Sequence, residues 1–204
     1  MNELHDSTSP NTPPEILAEL SIDKNESVRF AVAKNPSTPL EIIIQLSTDE
    51  NEWVRSKVAE HPRTPPGWLI KLSADKDRNV RESVTRNPNT PPEILAKLSA
   101  DEDERIRNSV AINPNTPPEI LATLSTSESW DVRCHVATNP NTPMGWLIKL
   151  LIDRNEDVRH AAKKTIAKLR DKKAAAVNHS PFSLCKTQRT HYNSSAKRRV
   201  SKGK

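Results

Sequence analysis

The chain repeats itself every 26 residues, and this periodicity constrains its fold more than any other feature. Thr-Pro recurs at Pro13, Pro39, Pro65, Pro91, Pro117 and Pro143, each 26 residues after the last. An apolar residue followed by arginine recurs in the same phase at Arg29, Arg55, Arg81, Arg107, Arg133 and Arg159, with no insertion. A strict period of this length means a stacked array in which each unit is one supersecondary element that buries its apolar face only against its neighbours.

Each unit reads as two short helices. In the first unit Thr12 is placed to cap a helix opened by Pro13 and Pro14, where proline sacrifices no intrahelical bond. Glu15 adds a negative charge in the first turn, Ile16, Leu17 and Leu20 share one face, and Ser21 and its equivalents close the half. After a polar linker, Val28, Ala31 and Val32 mark a second one-sided helix, which Asn35-Pro36 stops because the residue before proline avoids helical backbone. Helices of about nine residues do not persist alone, so stacking must hold them. Gly67-Trp68-Leu69-Ile70-Lys71-Leu72 returns as Gly145-Trp146-Leu147-Ile148-Lys149-Leu150, 78 residues on, as though a block of three units had been duplicated.

The 17 prolines would ordinarily suggest disorder, but all except Pro181 fall in or beside the repeat frame. The expected organisation is an N-terminal arm over 1–8, an all-α solenoid of six units over 9–177 without β-sheet, and a basic, disordered tail over 178–204. The tail arises because 171–204 holds nine Lys or Arg against one acid, Asp171, leaving the body near −3. In the sixth unit Lys164-Thr165-Ile166 stands where Asn-Pro would fall, predicting a longer last helix that caps the stack. No charged-then-apolar leader opens the chain and no apolar run approaches the roughly 18 residues of a membrane span, so a soluble cytoplasmic protein is expected.

The run Asn-Pro-Asn-Thr-Pro-Pro-Glu-Ile-Leu-Ala-x-Leu-Ser-x-Asp, followed by Val-Arg-x-x-Val-Ala, resembles the bacterial leucine-rich repeat variant family over roughly residues 9 to 163. That resemblance implies a right-handed solenoid of alternating α and 3₁₀ helices, a short relative of HEAT repeats. A founding member of the family carries an iron-sulfur cluster on cysteines before its repeats. Here no cysteine precedes Cys134, so no cofactor is implied.

Candidate sites follow from the repeated columns. The arginine row could track a phosphate backbone. The resemblance favours instead a hydrogen-bonded Asp-Arg ladder between repeats, using Asp23 with Arg29, Asp49 with Arg55, Asp75 with Arg81, Asp101 with Arg107 and Asp153 with Arg159. Ser127 occupies the Asp position of the fifth unit, which predicts Arg133 as the rung left free or differently paired. Trp68 and Trp146 share the column of Ile16, Ile42, Ile94 and Ile120 and are expected in the core, whereas Trp53 and Trp130 lie in linkers and are candidates for partner contact. Two columns vary while the frame does not: Phe30, Ser56, Glu82, Asn108, Cys134 and His160, and Lys34, Glu60, Arg86, Ile112, Thr138 and Lys164. Both are expected to point away from the core on the second helices, which line the concave side in HEAT-like stacks.

Cys134-His135 has neither a second ligand pair nor an orienting carboxylate, so no metal or nucleophilic site is assigned to it. No Gly-rich phosphate loop, HExxH or catalytic carboxylate pair stands out. The sequence therefore reads as a non-enzymatic scaffold for a macromolecular partner, a protein, on the concave surface. The alternative is a nucleic-acid-binding solenoid relying on Lys197, Arg198, Arg199, Lys202 and Lys204. A HEAT-like DNA repair enzyme fits the near-neutral body poorly.

Overall fold

Proline sets the start of every unit. In the computed structural model, which describes residues 9–178, the Thr-Pro prolines sit at the position before each first helix with φ between −67° and −56° and ψ between 141° and 151°. The first helices are α1 (Pro14–Leu20), α3 (Leu40–Leu46), α5 (Pro66–Leu72), α7 (Pro92–Leu98), α9 (Pro118–Leu124) and α11 (Met144–Leu150). Four of them also begin on a proline. A serine ends each of the first five, its hydroxyl donating to the carbonyl three residues back, as in Ser73 Oγ to Ile70 O at 2.8 Å.

Second helices follow: α2 (Glu26–Lys34), α4 (Glu52–Glu60), α6 (Arg78–Arg86), α8 (Glu104–Ile112), α10 (Trp130–Thr138) and α12 (Glu156–Asn178). Asn25, Asn51, Asp77, Asp103 and Ser129 cap the first five, each side chain accepting an amide of the opening turn. Where X-Pro stops the chain these helices have nine residues; without it α12 runs for 23.

Two sequence expectations are corrected here. Among the described residues both halves are α-helical, and i→i−3 bonds occur only at the helix ends and in the turns between, as from Trp68 N–H to Pro65 O and from Asp23 N–H to Leu20 O. Threonine, moreover, does not cap the helix that follows it. Thr38, Thr64, Thr90, Thr116 and Thr142 donate backward to the carbonyl six residues earlier, at 2.5–2.6 Å. Each first helix follows a proline and four also begin on one, which leaves fewer orphan amides to cap, whereas the end of the preceding helix needs donors.

Second helices pack on one another in a continuous row, α2 on α4 through to α10 on α12, and each first helix touches the second helices flanking it. Between the rows runs one apolar column containing Leu17, Val32, Ile43, Val54, Leu69, Val84, Leu95, Val110, Leu121, Val136 and Val158, all without solvent contact. At about 1.5–3 kcal/mol for each such side chain, units too short to hold themselves are held by their neighbours.

Candidate binding surface

The arginine row is committed to the stack, but its partners are not those the six-residue spacing suggested. Each guanidinium reaches its own unit only through Nη1, which donates to backbone carbonyls: Arg81 to Asp75 O at 3.0 Å and Lys76 O at 3.2 Å. Its Nε and Nη2 grip the aspartate of the next unit, 20 residues on. Arg29 holds Asp49 at 2.7 and 3.0 Å, Arg55 holds Asp75 at 2.7 and 2.9 Å, Arg81 holds Asp101 at 2.8 and 3.1 Å, and Arg133 holds Asp153 at 2.7 and 2.8 Å. These are planar, bidentate, charge-assisted forks.

Arg133 is thus fully engaged: it is not free, and it pairs with the aspartate 20 residues on as the other forked rungs do. The substitution of Ser127 removes the carboxylate from the preceding arginine, so Arg107 keeps only Asp101 O at 2.7 Å and Glu102 O at 2.9 Å. At the ends of the array, Arg159 donates to Asp153 O and Arg154 O. Asp23 accepts from the Asn25 amide, but no arginine bonds its carboxylate among the described residues. The forks shift the acids. The Arg133 hydrogen bond holds Asp153 below its usual value despite desolvation. For Asp75 and Asp101 desolvation pushes upward, and the forks from Arg55 and Arg81, with the amides of Asp77 and Asp103, more than offset it. Hydrogen bonding to the acids raises Arg29, Arg55, Arg81 and Arg133 against desolvation.

A second ladder was not legible in the sequence, where Asn-Pro registered only as a helix stop. Asn87 Nδ2 donates to Ala59 O at 2.7 Å and His61 O at 2.9 Å in the preceding unit, while its Oδ1 accepts the Asn89 amide at 2.8 Å. Asn139 repeats this with Ala111 O, Asn113 O and the Asn141 amide. Asn113 donates to Thr85 O at 2.5 Å. Asn35 donates to Ser9 O at 2.8 Å. In the third unit His61 takes the role: Nε2 lies 3.1 Å from Asn35 O, and Nδ1 accepts the Arg63 amide at 3.1 Å. Both contacts together require the neutral tautomer protonated on Nε2. Burial lowers the His61 pKa, Arg63 adds to this, and the Asn35 carbonyl opposes it.

Of the two variable columns, the first is open only at its last member, the exposed His160. Ser56 is only 5% exposed, and its hydroxyl lies 2.7 Å from that of Ser83. Phe30 packs against the core beneath Lys57, whose Nζ is 5.8 Å from the ring centre. Asn108 is tied to Asp131 Oδ2 at 2.6 Å and lies 3.3 Å from His135 Nδ1. Because successive second helices sit side by side, this position faces the next unit. Cys134 is half-buried, and desolvation, Asp131 and Asp157 all push its thiol upward. No group of three or more His, Cys, Asp or Glu that could hold a metal ion occurs among the described residues.

The second column is more open. Lys34, Arg86, Ile112, Thr138 and Lys164 are exposed, whereas Glu60 is half-buried against Lys57, Ser83 and Arg86. Between α6 and α8 lies a groove of about 450 Å³ lined by Glu82, Arg86, Arg105, Asn108 and Ile112, among others. Ile112 is 55% exposed beside it, and Arg86 bonds Glu82. Trp53 and Trp130 are 54% and 48% exposed, in the first turns of α4 and α10. Trp68 and Trp146 are half-buried rather than core, each covered by a lysine of its own helix, Lys71 at 3.9 Å and Lys149 at 3.8 Å from the ring centre. The basic cluster Lys197, Arg198, Arg199, Lys202 and Lys204, like the arm over 1–8, lies outside the described residues.

Twelve tandem α-helices without a strand among the described residues, locked by ladders between units, define an all-helical repeat solenoid. More specifically, the chain is similar to leucine-rich repeat variant proteins. The model of the leucine rich repeat variant family matches residues 78–103, one full period. A solved structure described as a leucine-rich repeat variant with a novel repetitive protein structural motif is 27% identical, with a TM-score of 0.63 over 80% of this chain. The match spans 64% of that structure's length, less than two thirds. YibA of Escherichia coli, 18% identical, shares the fold at a TM-score of 0.55 over 85% of this chain and 76% of its own. No curated protein matches in sequence. No helix among the described residues is long and apolar enough to cross a membrane.

Proposed function

We propose that the solenoid is a non-enzymatic scaffold of the bacterial cytoplasm that binds a protein partner along its row of second helices, with residues 9–177 as the binding body. The observation that carries this reading is the division of labour within each unit. The recurrent Asp, Arg, Asn and Thr side chains hold the stack together, while Arg86, Ile112 and Arg105 differ from unit to unit and stand open beside one groove. Charges of both signs around an exposed isoleucine suit a protein surface. They suit a nucleic-acid backbone poorly, because four of the six row arginines are neutralised by aspartate forks.

The test is capture of partners by full-length protein, by a chain ending at Asn178, and by an Arg86→Glu, Ile112→Asp variant, each with and without nuclease. Retention of a partner by the shortened chain and its loss in the double variant support the reading. A salt-sensitive nucleic-acid shift that needs residues 179–204 would replace it with the tail-driven alternative.

A further inference from the structure

Five of the six units carry the ladder aspartate, and the fifth carries Ser127 instead. In the other rungs three donors converge on one carboxylate: Nε–H and Nη2–H of the preceding arginine, and the amide two residues after the aspartate. The last of these is illustrated by Asp103 N–H to Asp101 Oδ1 at 3.0 Å and Asn155 N–H to Asp153 Oδ1 at 2.8 Å. All three donors persist where the aspartate is replaced. Arg107 Nη1 is fixed by Asp101 O and Glu102 O, as in every other rung, which leaves Nε and Nη2 facing the fifth unit. The receiving loop also keeps its shape. Ser127 N–H bonds Leu124 O at 3.0 Å, as Asp101 N–H bonds Leu98 O at 3.1 Å. Arg133 Nη1 holds Ser127 O at 2.8 Å and Glu128 O at 2.9 Å. No acceptor among the described residues bonds Arg107 Nε, Arg107 Nη2 or the Ser129 amide.

The geometry points to a carboxylate-binding site between the fourth and fifth units, formed by Arg107 Nε and Nη2 with the Ser129 amide, which takes one carboxylate from outside the chain. A planar guanidinium edge prefers a two-oxygen planar anion to a spherical one, and the amide supplies the third bond that the ladder aspartates accept. The chain's own acids nearby are otherwise disposed. Glu104 accepts the Ser129 hydroxyl at 2.6 Å. Glu128 makes no ion pair with Arg107, although its equivalents Glu50 and Glu102 approach their arginines to 3.4 and 3.8 Å. The carboxylate can come from a small acid or from an acidic side chain of another protein, and the site does not depend on the partner proposed above.

The experiment is a titration of ¹⁵N-labelled full-length protein with sodium acetate and, separately, with aspartate blocked at both termini, against sodium chloride at equal ionic strength. Saturable shifts of the Arg107 Nε–H and Ser129 N–H resonances are expected, while those of Arg81 and Arg133 stay still. Ser127→Asp, which supplies the missing carboxylate within the chain, should abolish the response, and Arg107→Lys should weaken it. A response to acetate alone marks a site for small acids, and a response to both marks one that also takes side chains. Equal shifts with chloride, persistence in Ser127→Asp, or a response that appears only in Glu128→Gln would overturn the proposal.

Discussion

Replacing Arg81 by alanine should be far more damaging than replacing Arg107, although both occupy the same place in the repeat. The Arg81 and Asp101 side chains are 13% and 9% exposed. Removing the guanidinium leaves the Asp101 carboxylate largely desolvated, with the Asp103 amide as its remaining bond from the rung. Breaking a buried pair costs about 3–5 kcal/mol. Water reaches the edge of this one, so about 2–4 kcal/mol is expected. Arg107→Ala loses only two bonds to carbonyls that water can re-satisfy, about 1 kcal/mol. Ser127→Asp should gain about 1–2 kcal/mol by completing the rung. Urea unfolding followed by circular dichroism reads all three, with constant slope confirming that midpoint shifts report stability. In thermal unfolding each kcal/mol corresponds to about 2–4 °C for a chain of this size. Equal losses for the two arginines, with no gain from Ser127→Asp, would show that the forks contribute nothing and that the backbone contacts carry the arginine column.

Two further expectations concern the buried polar groups. Burial depresses His61, so its stabilising contribution is complete above the unfolded value of about 6.5 and is lost as pH falls toward the lower folded value. His61→Asn, which restores the residue of the other units, should fold and should flatten the fall in urea midpoint between pH 7 and pH 5; an unchanged slope would assign it elsewhere. Below about pH 4 a second loss is expected as the depressed Asp75, Asp101 and Asp153 protonate. Asn87→Ala strips bonds from Ala59 O, His61 O and the Asn89 amide, and should cost about 2–4 kcal/mol. Asn89→Ala, at an exposed bond to Pro62 O, should cost well under 1 kcal/mol, and similar midpoints for the two variants would refute the buried ladder.

By itself the sequence determined where the helices start and stop and the period at which they recur. Proline opens the first helices, X-Pro closes the second ones, and an apolar face at helical spacing must be buried, so the unit boundaries and most core positions could be read from the sequence, the half-buried Trp68 and Trp146 excepted. Tertiary structure decided which copy of each residue meets which. In an array of identical phase, Arg81 has aspartates six residues before it and 20 after it, and only the direction in which units stack selects the second. That choice moved the broken rung from Arg133 to Arg107. It also turned Ser56 from a surface candidate into a buried contact, and sent the threonine hydroxyls backward to the preceding helix. A period fixes distances modulo 26, whereas a hydrogen bond depends on the actual translation between neighbouring units, and that translation exists only once they pack.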